Sequence, residues 1–235
     1  MEFHRDYFKS NKTHDMIYDF SKTPSVFNEY IKEIRDEKVQ VDSMRFRRNL
    51  ERIGELMAYE ISKTFDYGKV EVKTPLGLAE LEEMKDTPVL ATILRAGLAM
   101  HQGFVNVFDR ADSAFVSAYR KHSKSNKFEV YVQYMAVPNI DGKVLIISDP
   151  MLATGSSMLA VYQELLLLGK PKKVIMCVAI AAQEAIDYLE ENSKGEYELY
   201  VGAIDKELTA QAYIVPGLGD AGDLAYGKKN NHELD

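Results

Sequence analysis

Cysteine is almost absent from this chain of 235 residues: Cys177, inside "KVIMCVAIAA", is the single one. No disulfide can close within the chain, which fits a reducing compartment such as the cytoplasm, and a lone cysteine in an apolar run reads as a small core residue. Long hydrophobic runs are missing too. The longest wholly apolar stretch, Val174 to Ala182, falls far short of the ~20 residues that cross a bilayer. The opening "MEFHRDYFKS" has no apolar segment of the kind a secretory signal carries. There is no excess of positive charge: 29 Lys and Arg stand against 36 Asp and Glu, a net charge of −7. That balance argues against nucleic-acid or anionic-membrane partners, which need a cationic face, although a local basic pocket for one phosphorylated small molecule remains compatible with it. Repeats, low-complexity tracts and linkers are also lacking, as are the two commonest phosphate loops, G-x-x-x-x-G-K-[ST] and G-x-G-x-x-G.

What is there is ordinary globular composition, 46% hydrophobic and 28% charged, enough to bury a sizeable core. Residues 1–42 are polar, with scattered aromatics (Phe3, Tyr7, Phe8, Tyr18, Phe20), and read as an N-terminal arm holding a helix around "SVFNEYIKEIRDE". Residues 42–65 place Met44, Leu50, Ile53, Leu56, Met57, Tyr59 and Ile61 at mostly helical spacing, with Asp42 or Ser43 as N-cap. "GKVEVKTPLGLAEL" suggests a strand, a turn and a return strand. From residue 88 short apolar strands ("PVLATIL", "KVLIIS", "KVIMCVAIAA", "ELYVGAI") alternate with helical stretches, one of them ended by Gly169 as a C-terminal glycine. That alternation predicts an α/β fold: a mainly parallel twisted sheet flanked by helices, as one domain over 1–235 with an arm at its N-terminus.

Four stretches carry chemistry. In "VLIISDPMLATGSSM" the acid Asp149 and a small-residue loop stand at the mouth of a buried strand, where open α/β sheets bind ligands. Gly155 is free to take φ > 0, and Ser156 and Ser157 open a helix whose N–H groups and dipole suit a phosphate, with Thr154 adding a hydroxyl. Asp149 would repel a phosphate and better suits sugar hydroxyls or a metal ion. The same stretch also fits a plain Asp-Pro turn before a serine-capped helix. In "TILRAGLAM", Arg95 beside Gly97 fits a surface ion pair or a pyrophosphate contact. "SAYRKHSKSNKFEV" carries Arg120, Lys121, His122, Lys124 and Lys127 between two strands, a solvated basic hairpin or a cover over a site. "AYIVPGLGDAGDLAYG", residues 212–227, holds Gly217, Gly219, Gly222 and Gly227 and is expected to form no regular element, which suits backbone approaching a ligand. His101 and His122 read as ordinary helix and loop residues.

Taken together and in this order along the chain, "ILRAGL", "VLIISDPMLATGSSM" and "PGLGDAGD" resemble the uracil phosphoribosyltransferase family, whose phosphoribosyl-pyrophosphate (PRPP) signature here has Pro150 where many relatives of that fold carry a second acid. The resemblance covers about residues 30–228; the family's His-Pro-Leu opening is absent, and Gly155-Ser156 stands where Gly-Gly is frequent. It implies the phosphoribosyltransferase fold, with transfer of the phosphoribosyl group of PRPP to uracil, giving UMP and pyrophosphate. By residue, it implies PRPP binding by Arg95, Arg120, Asp149, Pro150, Met151, Leu152, Ala153, Thr154, Gly155, Ser156, Ser157 and Asp220. Uracil would meet Ile214, Gly219, Asp220 and Ala221, mostly through main chain, in a hood over 212–227. Asp149, Asp220 and Arg95 are the expected catalytic set. Mg²⁺ is implied as cofactor, held mainly by PRPP and water with no protein cage. A homodimer or higher homo-oligomer and GTP as a candidate allosteric activator are implied as well. Cytosine reverses uracil's donor/acceptor order at two positions and would leave buried groups unpaired, so a main-chain hood discriminates between them. The competing readings are a pyrimidine-responsive RNA-binding regulator on the same fold, a relative using another base, and a paralogue that binds without turnover.

Overall fold

The computed structural model describes residues 8–9, 16–122 and 128–229. In chain order the elements are β1 (Phe8–Lys9), β2 (Met16–Asp19), a 3-10 turn (Phe20–Lys22), α1 (Val26–Arg35), α2 (Ser43–Ser62), β3 (Tyr67–Thr74), β4 (Gly77–Met84) and β5 (Val89–Leu94). They continue with α3 (Leu98–Val107), β6 (Asp112–His122), β7 (Phe128–Ala136), β8 (Val144–Ser148), β9 (Met151–Leu152), α4 (Ser156–Leu168) and β10 (Lys173–Ala182). α5 (Gln183–Asn192), β11 (Glu198–Asp205), β12 (Glu207–Leu208), β13 (Ile214–Val215) and α6 (Ala221–Tyr226) complete the described chain.

One sheet dominates, in the order β1-β2-β11-β10-β8-β5-β6-β7, with β9 extending the pairing along β10. The pairs from β2 to β6 are parallel; β1–β2 and β6–β7 are antiparallel. Strands β8 and β10 are buried almost throughout, as strands covered on both faces must be, and the absence of polar alternation in their sequence follows from that. Cys177 is fully buried in β10, and burial pushes its thiol well above the ordinary range, the behaviour of a core residue.

The α/β expectation agrees with the observed fold; the N-terminal segment is more integrated than expected. β2 pairs in parallel with β11, and Tyr18 stacks on Tyr200 at 4.3 Å between ring centroids while Phe20 stacks on Phe27 at 4.5 Å. Those aromatics are therefore spent inside this chain. Helix α1 starts with a capping box in which the Ser25 side chain accepts a backbone N–H and Asn28 answers to the Ser25 N–H at 2.8 Å. Asp42 is the N-cap of α2 and accepts the Arg45 N–H at 3.0 Å. The stretch 212–227, expected to be irregular, contains a two-residue strand and the short helix α6. α6 forms because Asp220 caps it, accepting the Asp223 N–H at 2.9 Å.

Candidate functional site

Strand order locates the crevice. From β5 the chain steps outward through β6 and β7, then returns to the other side of β5 with β8 and continues through β10 and β11. The direction reverses between β5 and β8, and in open α/β sheets such a switch point opens a crevice beyond the carboxyl ends of the strands. Two of the three expected loops lie there: Arg95–Gly97 follows β5, and Asp149–Gly155 follows β8.

The two loops are locked together by close packing. Thr92 and Ser148 are paired across β5 and β8, both buried, and the Ser148 hydroxyl donates to the Ala91 carbonyl at 3.2 Å. A Cβ on Gly97 would run into Thr92 Oγ1, the Ile93 carbonyl oxygen at 2.7 Å and the Ser148 carbonyl oxygen at 2.9 Å. Only glycine lets the β5 loop lie this close to the end of β8. The Leu94–Arg95 peptide within that loop is cis.

Beyond β8, the Asp149 N–H donates to the Cys177 carbonyl at 3.1 Å, and the Pro150 carbonyl accepts from Ala179 and Ile180 at 3.1 and 2.9 Å. These bonds pin the loop to β10. The half-buried Asp149 carboxylate accepts the Met151 N–H at 3.3 Å. Gly155 takes φ 78°, and α4 begins at Ser156. Thr154 Oγ1 and Ser156 Oγ are hydrogen-bonded at 2.8 Å. A helix start leaves its first N–H groups without intrahelical acceptors, so the Ser156–Ser157 end of α4 presents backbone donors beside two hydroxyls.

Arg95 points to the third stretch. Its Nη2 pairs with Asp223 Oδ1 at 3.0 Å and its Nη1 donates to the Gly227 carbonyl at 3.3 Å, while Nε is buried without a partner. α6 therefore stands over the β5 loop, and a Cβ on Gly222 would lie 3.2 Å from Asp220 Oδ1 and 3.7 Å from Arg95 Nη2. Arg95 and Asp220 thus approach a common point. Ile214 and Ala221 are buried, and Gly219 (φ 93°) is exposed with open space where a Cβ would be. Arg120 lies on β6 opposite Val130; its side chain, with those of Lys121 and His122, and the whole of Lys124 and Lys127 are outside the described residues. His101 is buried against Ser113, whose hydroxyl lies 3.1 Å from Nε2. Burial lowers its pKa to about 4, and it is apart from these loops in the body of α3.

Sequence reasoning missed the residues that hold the third stretch in place. Arg35, at the end of α1, forms a bidentate ion pair with Asp205, at the end of β11, with N···O distances of 2.7 and 2.9 Å. Asp223 likewise went unassigned although it holds Arg95. A usable signal existed for Asp205 alone: like Asp149, it is an acid at the carboxyl end of a buried strand.

The family model described as uracil phosphoribosyltransferase matches residues 23–228. A uracil phosphoribosyltransferase from Porphyromonas gingivalis is 52% identical over 205 residues, covering 87% of this chain and 95% of the relative. One from Pyrococcus furiosus is 40% identical over 215 residues, 90% of each. Among solved structures, the AQ2163 protein from Aquifex aeolicus superposes with a TM-score of 0.80 at 32% identity, over 90% of this chain and 98% of that one.

Proposed function

This chain belongs to the uracil phosphoribosyltransferase family, and we infer from that membership that it transfers the phosphoribosyl group of PRPP to uracil, giving UMP and pyrophosphate. The observation that carries the site assignment is the meeting of the Arg95 and Asp149 loops at the β5/β8 switch point. A displacement of this kind needs no protein nucleophile. It needs the two reactants held in line and the charge on the departing group stabilised.

In this reading the loop from Pro150 through Ser157 (Met151, Leu152, Ala153, Thr154, Gly155 and Ser156 between them) holds the 5-phosphate at the start of α4. Support comes from the left-handed Gly155 and the hydroxyls of Thr154 and Ser156 beside the helix end. Asp149 accepts from the ribose hydroxyls. Arg95, whose buried Nε lacks a partner, takes the pyrophosphate, with Arg120 as a second cation. Ile214, Gly219 and Ala221 read uracil through main-chain groups. Asp220, close to the Arg95 guanidinium, orients the reacting ends or receives the ring proton.

Mg²⁺ is a hard cation that takes oxygen ligands and keeps several waters. In this reading PRPP oxygens and water are its main ligands. When bound it would supply positive charge to the leaving pyrophosphate. The reading extends to a homodimer or higher homo-oligomer in the cytoplasm, with GTP as a candidate activator. No helix among the described residues is long and apolar enough to cross a membrane.

The test is product analysis with labelled PRPP and a panel of bases. UMP should form with uracil, and cytosine and hypoxanthine should give little or no nucleotide. Nucleotide formed preferentially from another base would refute the assignment.

A further inference from the structure

We propose that Arg35 and Asp205, with Gln40 beside them, are positioning residues for the base: they fix the main chain of the hood that reads uracil. The proposal rests on the assignment of residues 214–221 to the base.

The geometry is built around Gly217. Asp205 Oδ2 accepts the Gly217 N–H at 2.9 Å, and Arg35 Nη1 donates to the Gly217 carbonyl at 3.0 Å. The same two side chains pair with each other, Arg35 Nη1 and Nη2 donating to the two carboxylate oxygens of Asp205. Both main-chain groups of Gly217 are therefore held by one bidentate ion pair. Turned so that its nitrogen meets two carbonyls, the Gln40 amide donates to Leu218 at 2.8 Å and to Ile34 at 3.1 Å, which ties the next hood residue to α1. Gly217 in turn lies directly on Ile214: a Cβ there would meet the Ile214 carbonyl oxygen, with its carbon at 2.9 Å, and φ is +54°. Displacing Gly217 must therefore displace Ile214, which packs against it. Downstream, the backbone at Gly219 is left in open space, available to a ligand.

The ion pair is costly for mere stability. The Asp205 side chain is 8% exposed and that of Arg35 21%, and a pair withdrawn from water this far returns little net stabilisation over apolar packing. What it supplies is direction. A carboxylate and a guanidinium locked in a plane can hold an N–H and a C=O of one residue at fixed orientation. Uracil and cytosine differ only in where donors and acceptors stand, so a reader made of main chain discriminates between them only if its own groups cannot turn.

The test compares steady-state kinetics of wild type, Arg35→Lys and Asp205→Asn, with PRPP binding measured separately by calorimetry. Lysine keeps the charge and loses the fork; asparagine keeps the shape and loses the ion pair. Each lost hydrogen bond of this kind corresponds to about a tenfold effect, so KM for uracil should rise about tenfold or more in both variants. KM for PRPP and its binding constant should stay within about twofold, and the preference for uracil over cytosine should fall. An unchanged KM for uracil would overturn the proposal, and so would equal weakening of both substrates or loss of PRPP binding in both variants. Absence of uracil-dependent turnover in the wild type would instead remove the underlying function, a result separable from these.

Discussion

Asp149 accepts the Met151 N–H, and its own N–H is anchored on Cys177, so its carboxylate stands at a fixed place beside the loop assigned to PRPP. Asp149→Asn keeps the size and loses the charge; a charge-assisted bond to a sugar hydroxyl is worth about 1.5–3 kcal/mol, so kcat/KM for PRPP should fall by about 10- to 100-fold. Steady-state kinetics with thermal unfolding as control would check this, and a fall in stability alone would contradict the assigned contact. Gly97→Ala meets backbone oxygens at 2.7 and 2.9 Å, which cannot yield as a flexible side chain would. Urea unfolding should report a loss of about 1–3 kcal/mol, and PRPP affinity should fall with it. At this scale, residues whose role is local were legible: Gly155 has the positive φ that its place before a helix required. Gly169 closes α4 as expected, in extended backbone, where a Cβ would meet the Ile140 and Asp141 side chains at 2.8 and 2.9 Å. The pairing of Asp205 with Arg35 was not legible, because two residues 170 positions apart leave no pattern in a single sequence; Asp205 alone carried a signal, as an acid at the end of a buried strand.

Among elements, the buried strands announced themselves, because a strand covered on both faces has no polar alternation to hide it. Helix α6 was missed because its six residues, Ala221–Tyr226, are short and lie among glycine signals, and the Asp220 cap that starts it lies within them. α1 was foreseen as a helix around "SVFNEYIKEIRDE", but not its task of holding the 214–221 stretch through Arg35 and, with Gln40 just beyond it, through Leu218. The capping box at Ser25 bears on that task, since it fixes where α1 begins. Ser25→Ala should cost about 1 kcal/mol, read as a lower urea midpoint at unchanged slope. A change in slope without a shift in midpoint would contradict that expectation.

For the whole molecule, strand order decides which loops lie side by side, and strand order is a tertiary fact that hydrophobic periodicity does not carry. Once β5 and β8 are neighbours, the two most telling sequence stretches become two sides of one crevice, with α6 over it. The fold should also lose stability in mild acid. His101 has its pKa lowered by burial from 6.5 to about 4, so between those values the unfolded chain binds the proton and the folded chain does not. The contribution is complete above pH 6.5 and is withdrawn as pH falls toward 4, by about 3 kcal/mol over the full window. His101→Gln should flatten that part of the profile in denaturant titrations, and an unaltered slope would count against it. The most direct measurement for the molecule as a whole is pyrophosphate release from PRPP with Mg²⁺, with and without uracil, in wild type and in Asp149→Asn. Release that depends on uracil and is strongly reduced by the substitution is the expected result; no uracil-dependent release by the wild type, or indifference to the loss of Asp149, would contradict it.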